Sequence, residues 1–100
     1  MKYLVVTTPH GNLPPDAAEG LFKAGKAWLD AAVADRTIDF VHGFAGGGGV
    51  SVANADSHDA LMAQIRGFPL FPFVGWDIRP LVDIHRSFDS AIEMFQKMAG

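Results

Sequence analysis

The chain contains no cysteine, and that absence removes disulfides, thiolate metal sites and cysteine nucleophiles together. Charge is sparse as well. Only 19% of the 100 residues are charged, the net charge is −3, and the eight lysines and arginines are scattered without a cluster. A nucleic-acid binder needs a basic stripe or patch, so no nucleic-acid partner is expected. Long apolar runs are missing too: the start, "MKYLVVTTPH", is too short for a signal-peptide core and far too short to span a bilayer. A soluble cytoplasmic protein with no membrane partner is the expectation.

What is present is a heavy apolar load. Hydrophobic residues make up 49% of the sequence. A chain of this length forms one domain, here residues 1–100, and buries only roughly 60–65% of the surface its unfolded form exposes. Some of that apolar surface is therefore predicted to meet a second copy, in a homodimer or larger homo-oligomer.

"KYLVVTT" at 2–8 is β-branched and apolar and reads as a first strand. Pro14 and Pro15 open a helix to Ala34, with Asp16 and Glu19 in its first turns and Leu21, Trp28, Leu29, Ala32 and Val33 on one face. Strict alternation in "TIDFVHGF" at 37–44 places Ile38, Phe40, His42 and Phe44 on one side of a second strand. Gly46–Gly49 turn it antiparallel into a third strand, "GVSVANA". A short helix capped by Asp56 or Ser57 runs to Gly67, and "FPLFPF" at 68–73 is predicted to be an extended connection because Pro69 and Pro72 remove donors. A fourth strand at 75–84, demoted to an edge or bulge by Pro80, precedes a last helix from about Ser87 to Met98 with Phe88, Ile92 and Phe95 on one face.

The order β-α-β-β-α-β plus a C-terminal helix predicts an α+β, ferredoxin-like subunit with helices on one face of a four-stranded antiparallel sheet. The other face needs a cover, and the same face of a second subunit would give a dimeric α+β barrel.

The glycine run is no phosphate loop: it enters a strand rather than a helix N-terminus, and no lysine follows it. The four histidines, His10, His42, His58 and His85, show no metal-ligand spacing, so neither metal nor cofactor is expected. His42 is the candidate proton carrier, because it shares its predicted face with Ile38, Phe40 and Phe44, where desolvation would keep the imidazole neutral. Asp77, Arg79 and Asp83 alternate opposite Trp76, Ile78 and Val82. They form either a surface ion pair or, on a cavity wall, a carboxylate clamp with Arg79 at its centre. Lys26 and Asp30 are spaced for an i, i+4 pair, and Lys23 and Lys26 suit a cavity mouth that attracts an acidic ligand.

Taken as a unit, "SHDALMAQIRGFPLFPF" at 57–73 resembles the muconolactone Δ-isomerase family, including its chloromuconolactone-dehalogenating relatives, in which a similar helix runs into a Leu-Pro-Leu/Phe-Phe-Pro-Tyr connection before the last strand. The resemblance is best from Ser51 to Leu81 and extends from Lys2 to about His85. It implies dimeric barrels that often assemble further, and cofactor-free proton transfer on a small unsaturated lactone acid in aromatic catabolism. It also implies a pocket shaped by Phe71 and Phe73 with Lys26 beside it. The family's Glu before that lysine falls on Gly25, and its Tyr-x-Asn falls at about Gly47 and Gly49. An isomerase would then need another base, His42 first, then Asp39, Asp77 or His85. The rival expectations are a non-catalytic ligand-binding or structural barrel that has lost the polar site, and a cofactor-free monooxygenase using the pocket with Trp76, Phe40 and Phe73.

Overall fold

The computed structural model describes residues 1–100. Strand β1 (Lys2–Pro9) leads through a Gly/Pro loop into helix α1 (Pro15–Ala34), followed by β2 (Ile38–Gly43), β3 (Gly49–Asn54), α2 (His58–Arg66), a 3-10 turn (Phe71–Phe73), β4 (Val74–Leu81) and α3 (Ile84–Ala99). The four strands form one antiparallel sheet in the order β2-β3-β1-β4, the ferredoxin-like arrangement. Pro80 does lie on an edge strand, where its missing N–H breaks no ladder.

Helices α1 and α2 cover one face. The core cluster joins Tyr3, Val5, Ile38 and Ala53 of the sheet to Ala32 of α1 and Leu61 and Ile65 of α2, with Trp28, Leu29, Val41, Trp76 and Ile78 packed around it. Tyr3 is wholly buried, yet its hydroxyl lies 2.7 Å from His58 Nδ1 at the start of α2, so its polar end is satisfied. Ser57 caps that helix by accepting from the Ala60 N–H, as expected from its place before the apolar run.

Three local expectations are corrected. Asp39 is a bulge: Ile38 stands opposite Ala53 and Phe40 opposite Val52, so β2 carries one residue more than β3 here. The bulge reverses the alternation. Ile38 and Val41 face the helices, while Phe40 and His42 face the uncovered side, so Ile38 and His42 do not share a face. Residues 68–73 are not extended throughout; prolines that cannot continue a helix still suit the tight turn at Phe71–Phe73, where the Phe73 N–H donates to Leu70 O. Finally, β4 stops at Leu81 and α3 starts at Ile84 rather than Ser87, because the Asp83 carboxylate accepts from the His85 and Arg86 N–H groups and fixes the helix start.

The face of the sheet away from α1 and α2 has no cover within the chain. Cross-strand pairing assigns it Leu4, Val6, Val50, Val52 and Phe40 as an apolar centre, with Asp77, Arg79 and Leu81 along its β4 edge. Lys2, Asp39 and Asn54 form a hydrogen-bonded cluster at one end of the sheet. Helix α3 leaves the body altogether: it buries no residue, and the molecule measures 67 × 27 × 24 Å. No helix is long and apolar enough to cross a membrane.

Candidate functional site

Between α1 and the helix-covered face of the sheet lies a partly open cavity of about 490 Å³. Alternation along β1 aims Val5 and Thr7 into it, and their partners Ser51, Gly49, Ile78 and Trp76 share that face. Leu29 of α1 and Ile65 of α2 supply the apolar ceiling, and Phe68, Leu70 and Phe73 close one side. Phe68 packs edge-on against both Trp28 and Trp76, with ring centroids 5.2 and 6.1 Å apart. The Trp76 indole N–H donates to Phe71 O at 3.3 Å, which ties the 3-10 turn to β4 and fixes this aromatic wall.

Polar groups are few. Thr7 and Ser51 place hydroxyls on the sheet wall; Thr7 Oγ1 accepts from the Gly49 N–H at 3.1 Å. Lys26 and Asp30 stand at the rim, ion-paired at 3.1 Å with both side chains largely in solvent. Apart from Tyr3, which lies outside the cavity, no charged or polar residue is fully buried, so no titratable side chain sits fully buried in the cavity wall. No group of three or more His, Asp or Glu side chains converges as a metal site.

The residues singled out from sequence divide between two faces. Lys26 and Phe73 line the cavity. Phe71 lies behind it, its ring 5.6 Å from that of Trp76. His42 borders the cavity through its strand, but its exposed ring lies 5.5 Å from Phe40 on the uncovered face, so the expected desolvated pocket does not surround it. Arg79 is also on that uncovered face, paired with Asp77 at 3.5 Å and well exposed. His42 on β2 and Arg79 on β4 occupy opposite edges of the sheet, strands about 14 Å apart at the usual spacing, and Arg79 is a further two residues out of register. Of the reserve bases, Asp39 is held below the ordinary carboxylate range by hydrogen bonds from Lys2 and Asn54. Asp77 is bound to Arg79, and His85 sits exposed at the start of α3. The monooxygenase trio also separates, with Trp76 and Phe73 in the cavity and Phe40 outside it.

Sequence reasoning missed Thr7, Ser51, Phe68 and Leu70 as wall residues. Alternation along β1, which makes Thr7 equivalent to Tyr3 and Val5, was the available signal for the first. The glycines are legible in space. Gly47 and Gly48 have φ of +104° and +78°, and a Cβ at Gly48 would strike Thr7 O, so the hairpin base lies directly against β1. Gly25 is buried, and a Cβ there would lie 3.2 Å from Leu70 Cδ1. Leu70 thus fills the space into which a longer side chain on α1 would extend.

Solved structures share this architecture, among them two whose proteins act on small ring compounds by name. Muconolactone isomerase superposes with a TM-score of 0.75 at 23% identity, covering 83% of this chain and 90% of that one. The 5-chloro-2-hydroxyhydroquinone dehydrochlorinase of Burkholderia phenoliruptrix AC1100, in complex with 2,5-dihydroxybenzoquinone, superposes with a TM-score of 0.63 at 13% identity, covering 82% and 94%. At these identities the likeness establishes the fold of muconolactone isomerase and nothing finer. No curated protein sequence matches the chain. A family model does, that of a domain of unknown function, DUF3303, over residues 1–98, and the chain belongs to that family.

Proposed function

We propose that the protein is a small-molecule-binding barrel whose ligand is a compact, largely apolar ring compound with one acidic group. The observation that carries this reading is the cavity itself: about 490 Å³ walled by Val5, Leu29, Ile65, Phe68, Leu70 and Trp76, with Lys26 as the cation at its rim. That volume suits a small organic molecule, and an apolar wall with a few polar groups is the usual form of such sites. The ring would lie against Trp76 and Phe73, and its carboxylate or enolate would reach Lys26 in competition with Asp30. The uncovered sheet face closes on a second copy, which makes the dimeric barrel the working unit.

Proton-transfer catalysis is the second reading, in which a lactone acid is isomerised. It is favoured by the shared fold with muconolactone isomerase and by Lys26 in the rim position. It requires a base. The cavity offers two hydroxyls, the Gln64 amide and a solvated ion pair, and His42 serves only if the uncovered face is the reacting one.

Calorimetric titration and thermal shift with muconolactone and 2,5-dihydroxybenzoquinone test the first reading. Binding that weakens at least fivefold in Lys26→Ala and in Trp76→Ala, with the fold intact, is the expected result; no binding at millimolar ligand would sink it. Incubation with muconolactone in D2O, followed by proton NMR, tests the second. Deuterium entry above the protein-free rate, lost in His42→Ala, would establish turnover, and a flat spectrum would exclude that substrate.

A further inference from the structure

The floor of the cavity is unevenly filled. Pairing across the sheet sets Gly43, Gly49, Thr7 and Trp76 in one row from β2 to β4, with Val41 and Ser51 in the row behind it. On β2 and β3 the first row therefore carries no side chain at all. Gly49 has no choice, because a Cβ there would stand 2.7 Å from His42 O. Gly43 is different: its φ lies outside the left-handed region, and a Cβ would meet only Gly48 O, at 3.9 Å. Glycine weakens a strand, and one that the backbone does not require marks a place where another molecule comes close. Volume points the same way. An apolar cavity of about 150 Å³ is enough to hold one benzene ring. This one offers about 490 Å³, so a single ring would leave most of it empty.

The hydroxyls beside that floor are unspent as donors. Thr7 Oγ1 already accepts from the Gly49 N–H at 3.1 Å, and its own proton has only Gly49 O at 3.5 Å, a weak contact. The Ser51 hydroxyl takes no part in the hydrogen bonds of the fold and lines the cavity. Thr7 and Ser51 are diagonal neighbours on β1 and β3, roughly 7 Å apart, so both can donate to one oxygen between them. Resting on the reading of this cavity as a small-molecule site, we infer that its ligand is a planar fused-ring aromatic acid of two or more rings. The rings lie over the bare floor at Gly43 and Gly49, an oxygen on the ring system accepts from Thr7 and Ser51, and the acidic group stays at the rim with Lys26. A flexible aliphatic acid of equal volume is a poorer occupant. The floor is free of side chains and the wall at its end is the Trp76 indole, a surface that favours a flat aromatic partner.

Calorimetric titration of the full chain with benzoate, 2-naphthoate and 6-hydroxy-2-naphthoate provides the test. The expected result is that 2-naphthoate binds about tenfold more tightly than benzoate, and that the 6-hydroxyl adds about fivefold more. Gly43→Val, which puts a branched side chain on the floor, should weaken 2-naphthoate about fivefold and benzoate less than about twofold. Gly43→Ala, whose single methyl has room, should act in the same direction with a smaller effect, and circular dichroism melting would show that each variant is folded. Ser51→Ala combined with Thr7→Val should remove the gain from the 6-hydroxyl and leave 2-naphthoate within about twofold. Three results would each overturn the inference and leave the small-molecule reading standing: equal affinity for benzoate and 2-naphthoate, equal effects on both probes at Gly43, or a 6-hydroxyl gain that survives loss of both hydroxyls. Absence of binding by all three probes at millimolar concentration would overturn the two together.

Discussion

At the level of single residues, the glycine run shows how differently equal side chains can be constrained. Gly48 combines a φ of +78° with a backbone oxygen where its Cβ would stand, while a Cβ on Gly46 meets nothing within 4 Å. Gly48→Ala should therefore cost about 2–3 kcal/mol, and Gly46→Ala should be close to neutral, in denaturant titrations of both variants. Equal effects at the two sites would contradict the hairpin geometry. Asp39 makes a second prediction. Its folded-state pKa lies below the ordinary value of about 3.9 because Lys2 and Asn54 donate to it, so its contribution is present above that value and is lost as pH falls through the lower folded value. Asp39→Asn should therefore lower stability slightly at neutral pH, flatten the acid limb of the profile below about pH 4, and bring the two proteins together in strong acid. The same residue marks where the sequence stopped being legible. Alternation in "TIDFVHGF" assumes one residue per ladder step, and nothing in composition announces that Asp39 is an extra one. Counting without that extra residue puts His42 on the face of Ile38, whereas the ladder keeps it with Phe40 on the other one.

Among the elements, periodicity and punctuation served well where a local rule decides the outcome. Proline at the first turn set the start of α1, Ser57 set the start of α2, and glycines set the β2–β3 hairpin. They served poorly where the outcome depends on a distant neighbour, as in the 3-10 turn that the Trp76 indole ties to Phe71 O. Gly25 belongs to this second kind. In sequence it is a weak point of α1, about 1 kcal/mol worse than alanine, and in space it is the socket for Leu70. Gly25→Glu, which would push a long acidic side chain into that socket, should therefore destabilise the chain by about 1–3 kcal/mol through overpacking. Leu70→Ala alone should cost about 2–5 kcal/mol as a cavity. Their combination should be less damaging than the sum by about 1 kcal/mol, because each change relieves the other. Strict additivity in a thermal or urea double-mutant cycle would mean that Leu70 does not occupy the space a side chain at position 25 would take.

For the whole molecule the question is why a chain with 49% hydrophobic residues has only 11 of its 100 residues buried. Helix α3 and the uncovered sheet face answer it together, since both are patterned for burial and neither finds a partner within the chain. The amphipathic pattern of α3 was plain in the sequence; which molecule covers it was not, because a periodicity specifies an apolar face without saying whose core the face enters. If folding and association are one process, stability depends on concentration. Each tenfold dilution then removes about 1.4 kcal/mol from the unfolding free energy of the dimer. For a unit of roughly 200 residues that corresponds to a fall in Tm of about 3–5 °C per tenfold dilution. Differential scanning calorimetry between 5 and 500 μM, roughly the range that brackets ordinary dimer affinities, should show a shift of about twice that size. A Tm independent of concentration would mean that α1, α2 and the sheet hold the fold unaided, with α3 riding on a body that is stable as one chain.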